Sequence, residues 1–204
     1  MSPGRIEEVT NSREVLDFWF GDAPLKPNGK LWFTGGKAAD QEIKQHFGAA
    51  VQAALDGELS DWQQQPHSAL ALIVLLDQFT RNLFRGSARA FDGDPAALEL
   101  CVTGIESGFP DHLHVLEAAF FFMPLEHSES MAMQDLCVQK FEELLQRSEP
   151  EFRDYVGSNL DYALSHRQII QQFGRYPHRN EALGRSSTAA ESSYLQGGGV
   201  TFGQ

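Results

Sequence analysis

Apolar residues recur along this chain at helical spacing, and no stretch alternates apolar and polar residues as a half-buried strand does. Asn11 or Ser12 can cap a first helix carrying Val15, Leu16, Phe18, Trp19 and Phe20, which Gly21 stops. Pro24, Pro27, Gly29, Gly35 and Gly36 mark a loop, and Asp40 then opens a helix with Ile43, Phe47, Val51 and Leu55 on one face, ended by Gly57. Pro66 suits the first turn of the next helix, in which Ala69 to Leu76 is an unbroken apolar run of eight. A run with no polar face predicts a central helix covered on all sides. It continues through Asp77, Gln78, Thr80, Arg81 and Asn82 and stops by Gly86. Asp94 caps a helix from Pro95 to about Ser107, and Leu113 to Met123 forms a Phe-rich helix interrupted at Pro124. Met131 to Leu145 is amphipathic, with Met133, Cys137, Phe141 and Leu144 on one face, and Asn159 to Phe173 is the last long helix before Gly174 and Pro177.

These elements predict an all-α protein of antiparallel helical hairpins packed around Ala69–Leu76, either a compact bundle or a stacked array. Residues 1–185 form a single all-helical domain, and residues 186–204 form a polar, Gly-rich tail, loose or docked. With 42% apolar and 22% charged residues the chain has the balance of a globular protein, and its 15 Phe fill an interior without polar atoms to satisfy. A net charge of −12 repels nucleic acid and anionic membranes, so neither is expected as a partner. No stretch approaches the roughly 20 apolar residues of a membrane span, and Met1 to Val9 lack the basic-then-apolar design of a signal, which predicts a cytoplasmic protein. Cys101 and Cys137 each lie in an apolar helical run and read as buried free thiols.

Chemistry concentrates in three places. Seven of the eleven arginines fall in two stretches, Arg81, Arg85 and Arg89, then Arg167, Arg175, Arg179 and Arg185. The first stretch adds Asp77, Gln78 and Asn82, and the second adds His166, Gln171, His178 and Asn180. Leu75–Arg81 faintly echoes Ile169–Arg175, with Arg85 and Arg179 at matching offsets. Guanidinium forks suit carboxylate or phosphate and keep their charge when partly buried, so two stretches meeting in space would make an anion pocket. Alternatively, Asp77 and Arg81 pair four apart on one helix and the arginines brace loops and helix ends. The third place is Glu126-His127-Ser128-Glu129. It can hold a proton near neutrality, or merely cap the following helix through Ser128 with Glu129 facing its dipole. A metal reading needs His127 to meet His166 or His178. Trp19, Phe20, Trp32, Phe33 and Trp62 read first as core. No nucleophile elbow, His-Glu-x-x-His pair, Cys-x-x-Cys or dinucleotide fingerprint occurs, and Gly21 to Lys30 has the wrong spacing for a P-loop, with Leu31 in place of its hydroxyl. No metal or cofactor is therefore expected.

Six motifs in order carry a resemblance. They are Val15–Gly21, Trp32-Phe33, Leu75–Asn82, Phe122–Glu129, His166–Ile170 and Phe173–Asn180, closed by Leu183-Gly184-Arg185. Together they resemble the bacterial family known as domain of unknown function 924, over roughly Val15 to Phe202. Thr80 stands where that pattern has Pro, and the Gly-rich tail is looser than usual. The resemblance implies a tetratricopeptide-like helical fold and no established activity. Two functions follow as expectations. The first is a pocket for a small anionic ligand, a phosphate or carboxylate metabolite, lined by Asp77, Gln78, Arg81, Asn82, Arg85, Glu129, Arg167, Arg175, His178, Arg179 and Asn180. If the protein is an enzyme, His127 or His166, with Glu126, carries the proton. The second is a peptide-binding protein whose arginines grip an acidic peptide or a C-terminal carboxylate along a concave face, or else a scaffold whose polar clusters are internal braces.

Overall fold

The computed structural model describes residues 10–202, and no strand occurs among them. Residues 1–9, on which the expectation about targeting rests, lie outside the described ones, as do residues 203–204 of the tail and the side chain of Phe33. The elements are α1 (Ser12–Phe20), α2 (Gly29–Thr34), α3 (Gly36–Leu55), α4 (Pro66–Ile73), a π-helical turn (Val74–Phe79), α5 (Thr80–Leu83), α6 (Asp94–Glu106), α7 (Val115–His127), α8 (Met131–Arg147), α9 (Arg153–Phe173) and α10 (Ala189–Gln196). The fold is the expected all-α bundle.

Two helices form its axis. α4 and its π-helical continuation are buried from Ala69 to Asp77, and α7 is buried from Leu116 to Glu126. Around them, α1 packs on α4, α3 packs on the π turn and α5, and α6 touches both axial helices. α8 and α9 close the far side as an antiparallel hairpin, with Asp135 near the start of one bonded to Arg167 near the end of the other. Edge-to-face aromatic contacts tie α1, α2, the π turn and α7 together. Trp19 meets Phe79 at 5.3 Å and Phe120 at 5.7 Å between ring centroids, and Trp32 meets Phe120 at 4.8 Å. Trp32 also donates its indole N–H to the Trp19 carbonyl at 2.8 Å. Cys101 and Cys137 are buried and free.

Several local expectations change. The punctuated stretch after Gly21 contains α2, held by Trp32, and α3 starts at Gly36 rather than Asp40. α9 begins at Arg153, ahead of Asn159, and the tail contains α10, whose capping box joins Thr188 and Glu191. Asp94 does not cap α6; the residue before the helix is Gly93, and the Asp94 carboxylate turns away to two arginines.

Pro124 does not interrupt its helix: α7 runs on to His127. A mid-helix proline loses an N–H and crowds the carbonyl four residues back. Here the helix end is secured from outside. The Gln134 side-chain amide donates to the carbonyls of Glu126 and Ser128 at 2.7 Å each, and the Tyr176 hydroxyl donates to the Glu126 carbonyl. Orphan C-terminal carbonyls thus find partners in α8 and in the segment after α9.

Candidate functional site

The π turn of the axial helix places Asp77 in the interior, where the side chain has no exposed surface. π turns are uncommon and concentrate at functional positions. His127, the last residue of α7, brings Nδ1 to 2.7 Å from Asp77 Oδ1. Arg81 lies 3.2 Å from the same oxygen, and the Gln78 amide donates to Oδ2 at 2.6 Å. Burial raises the pKa of Asp77, but Arg81 and His127 outweigh it and hold the carboxyl well below its ordinary range. Burial lowers the pKa of His127, and Arg81 adds to this against the pull of Asp77. The pair is therefore a neutral imidazole donating Nδ1–H to a carboxylate. Nε2 carries the lone pair and is bonded to no other described residue.

Arg81 also grips Asp94 with both terminal nitrogens, at 2.8 and 3.1 Å. Gly93 makes this possible. A Cβ there would come within 2.2 Å of the Leu76 carbonyl oxygen, so only glycine lets the chain before α6 lie against the axial helix. Arg179, from the turn after α9, reaches Asp94 as well, through one nitrogen at 3.3 Å. Its guanidinium lies between the faces of Phe91 and Tyr176, at 4.7 and 4.5 Å. It is 5% exposed, and its Nε has no hydrogen-bond partner among the described residues. Burial, followed by the charge of Arg81, lowers its pKa.

Behind His127 stand two more imidazoles and an acid. His166 is 6.2 Å from His127 between ring centres, and its Nδ1 lies 2.9 Å from the Tyr162 carbonyl and 3.2 Å from Glu126 Oε1. Burial, with a smaller push from Asp77, raises Glu126 to about 8, so it holds a proton at neutrality. Burial, then His127, drives His166 far down. Burial, then Arg179, takes His178 to about 4, and its Nδ1 has no hydrogen-bond partner among the described residues. The Phe202 ring lies flat on His166, 3.5 Å between centroids at 14°.

Of the residues expected at one site, Asp77, Gln78, Arg81, Glu126, His127, His166, His178 and Arg179 converge. The others are spent elsewhere as braces. Asn82 and Arg85 both bind Asp40, at 2.8 Å and at 3.0 and 3.1 Å. Arg167 binds Asp135 on the surface, and Arg175 binds Glu191 of α10 with two nitrogens. Glu129 caps no dipole; it accepts from Arg185 and from the Tyr176 N–H. Asn180 links Ser187 and Arg185. Among the described residues no three His, Cys, Asp or Glu side chains gather as a metal site. Asp94, Phe91, Gln134, Tyr176 and Phe202 belong to the site or its support and were not foreseen. Only the Asp94-Pro95 dipeptide gave a signal, and it pointed to a cap. A surface groove of about 600 Å³ between Ala23–Pro27 and Glu149–Phe152 touches none of these residues.

Residues 15–199 match the model of a family described as bacterial protein of unknown function, DUF924. A solved structure of a protein of unknown function from Agrobacterium tumefaciens is similar, with 33% identity and a TM-score of 0.77 over 91% of this chain and 97% of that one. No curated protein matches. No helix of the described residues is long and apolar enough to cross a membrane.

Proposed function

Because the chain belongs to the DUF924 family, whose function is unknown, we propose a function from its own side chains: it is a general acid–base enzyme acting on a small metabolite that carries a carboxylate or phosphate. The observation that carries this reading is the Asp77–His127 pair, 2.7 Å apart, with the acid fully buried and Nε2 unclaimed. An acceptor nitrogen oriented by a buried carboxylate is the arrangement of a general base, and the carboxylate steadies the imidazolium that forms on proton uptake. Glu126, protonated at neutrality, supplies a second proton-bearing group in the same cluster. Arg179 supports the anionic substrate. A buried guanidinium has five donors to satisfy, and among the described residues this one makes a single hydrogen bond, of 3.3 Å.

The alternative of a peptide-gripping scaffold draws less support, because Arg85, Arg167 and Arg175, three of the arginines that would grip such a peptide, are each neutralised by an acid. A thermal-shift screen with carboxylates and inorganic phosphate tests the proposal. A ligand at about 100 times its Kd adds about 2.7 kcal/mol of stability. The shift should vanish in Arg179→Met and persist in His127→Asn, which removes the base and leaves the anion seat. A flat screen, or a shift indifferent to Arg179→Met, rejects the reading.

A further inference from the structure

Phe202 is held in an unusual way. It is the one non-glycine among the described residues with positive φ, +52°, a backbone region that a bulky side chain enters at a cost. The chain reaches it through Gly197, Gly198 and Gly199, of which Gly199 passes so close to the Tyr194 ring that a Cβ would lie 2.4 Å from it. Between that turn and the ring, Val200 is half exposed and bonds only the Tyr194 hydroxyl. The ring packs on the small apolar cluster of Ile169, Ile170 and Tyr176, and each ring that it meets belongs to the cluster described above. It lies parallel on His166, and the rings of Tyr176 and His178 stand across it at 85° and 72°, with centroids 6.4 and 6.1 Å away.

Without the phenyl group, His166 would offer an open flat face, walled by two upright rings. Tyr176, one of the walls, carries the under-bonded Arg179 guanidinium on its ring. A floor with two perpendicular walls fits a flat ring far better than an aliphatic chain, and an uncharged imidazole floor suits a neutral aromatic or heteroaromatic ring. We propose that the place held by Phe202 is the seat for the ring of a small aromatic or heteroaromatic acid, and that the C-terminal segment is a stopper the ligand displaces. The acid group of that ligand would go to Arg179, so this inference rests on the anion reading above. The ring seat stands apart from it.

Three probes separate the two ideas: benzoate (ring and charge), benzamide (ring alone) and acetate (charge alone). Calorimetric titration of the full chain and its Phe202→Ala variant should show benzamide and benzoate binding about tenfold more tightly to the variant, the size of one freed aromatic contact. Acetate should bind both alike. Ring probes that bind the variant no better than the unaltered chain overturn the ring seat, whatever acetate does. A benzamide gain with no acetate binding and no preference for benzoate keeps the ring seat and rejects the anion reading. In the unaltered chain, saturating benzoate should move the NMR signals of the Phe202 ring to those of an exposed phenylalanine. Unmoved signals under saturation overturn the stopper, with no variant required.

Discussion

Arg81 and Arg179 reach the same carboxylate, and replacing each should leave a different signature. Arg81→Met takes the shared cation from two acids, Asp77 and Asp94, at a nearly buried position. Breaking a buried pair from one side costs about 3–5 kcal/mol, and urea denaturation should show a loss of that order. Arg179→Met removes a cation with one long bond and keeps its apolar stem, so its cost should stay within about 1–2 kcal/mol. Equal losses would mean that Arg179 is a brace. Glu126 makes a separate prediction through pH. With a folded pKa near 8 against an ordinary 4.5, it holds in the folded chain a proton that the unfolded chain has released, so stability falls as pH rises toward 8. The depressed histidines act oppositely, because the unfolded chain takes up protons below 6.5, and their contribution is lost on acidification. Between pH 6.5 and 8 the Glu126 slope therefore stands alone, at about 2 kcal/mol. Denaturation of Glu126→Gln over that window should be flat where the unaltered chain declines.

Among elements, the longer helices were legible where apolar positions repeated along one face, whereas the short polar α10 was read as tail. Apolar periodicity marked α1, α3 and α8, and Gly21 and Gly174 marked ends that the structure places at Phe20 and Phe173. The π turn was not legible, because it begins inside the run Ala69–Leu76, which is apolar on every side and so has no phase to break. α2 was hidden by the glycines around it, and the persistence of α7 past Pro124 depends on Gln134 and Tyr176, which are remote in sequence. The candidate site was half legible. The clusters containing His127 and Arg81 stood out, but Asp94, 85 residues from Arg179, could only look like a helix cap. The element-scale test is Gly93→Ala. The methyl group must push the start of α6 off Leu76, costing about 1–3 kcal/mol by overpacking. It should carry Asp94 away from both arginines, so that a double variant with Arg81→Met costs less than the two changes summed.

For the whole molecule, the bundle assembles largely from neighbours in sequence, whereas its polar centre does not. α7 packs on α8, and α8 on α9, through short connections. The polar centre is closed by His127–Asp77, 50 residues apart, and by Arg179–Asp94, 85 apart. In terms of time, such contacts come late, because the chain must give up loop entropy before they return anything. A stopped-flow chevron should therefore show Arg81→Met folding at nearly the unaltered rate and unfolding faster, with a φ-value near zero, while Ile73→Val in the axial helix slows folding itself. A centre that closes last also opens first: the groups proposed to do the chemistry would be reached by solvent through brief local openings, long before the helical frame around them comes apart.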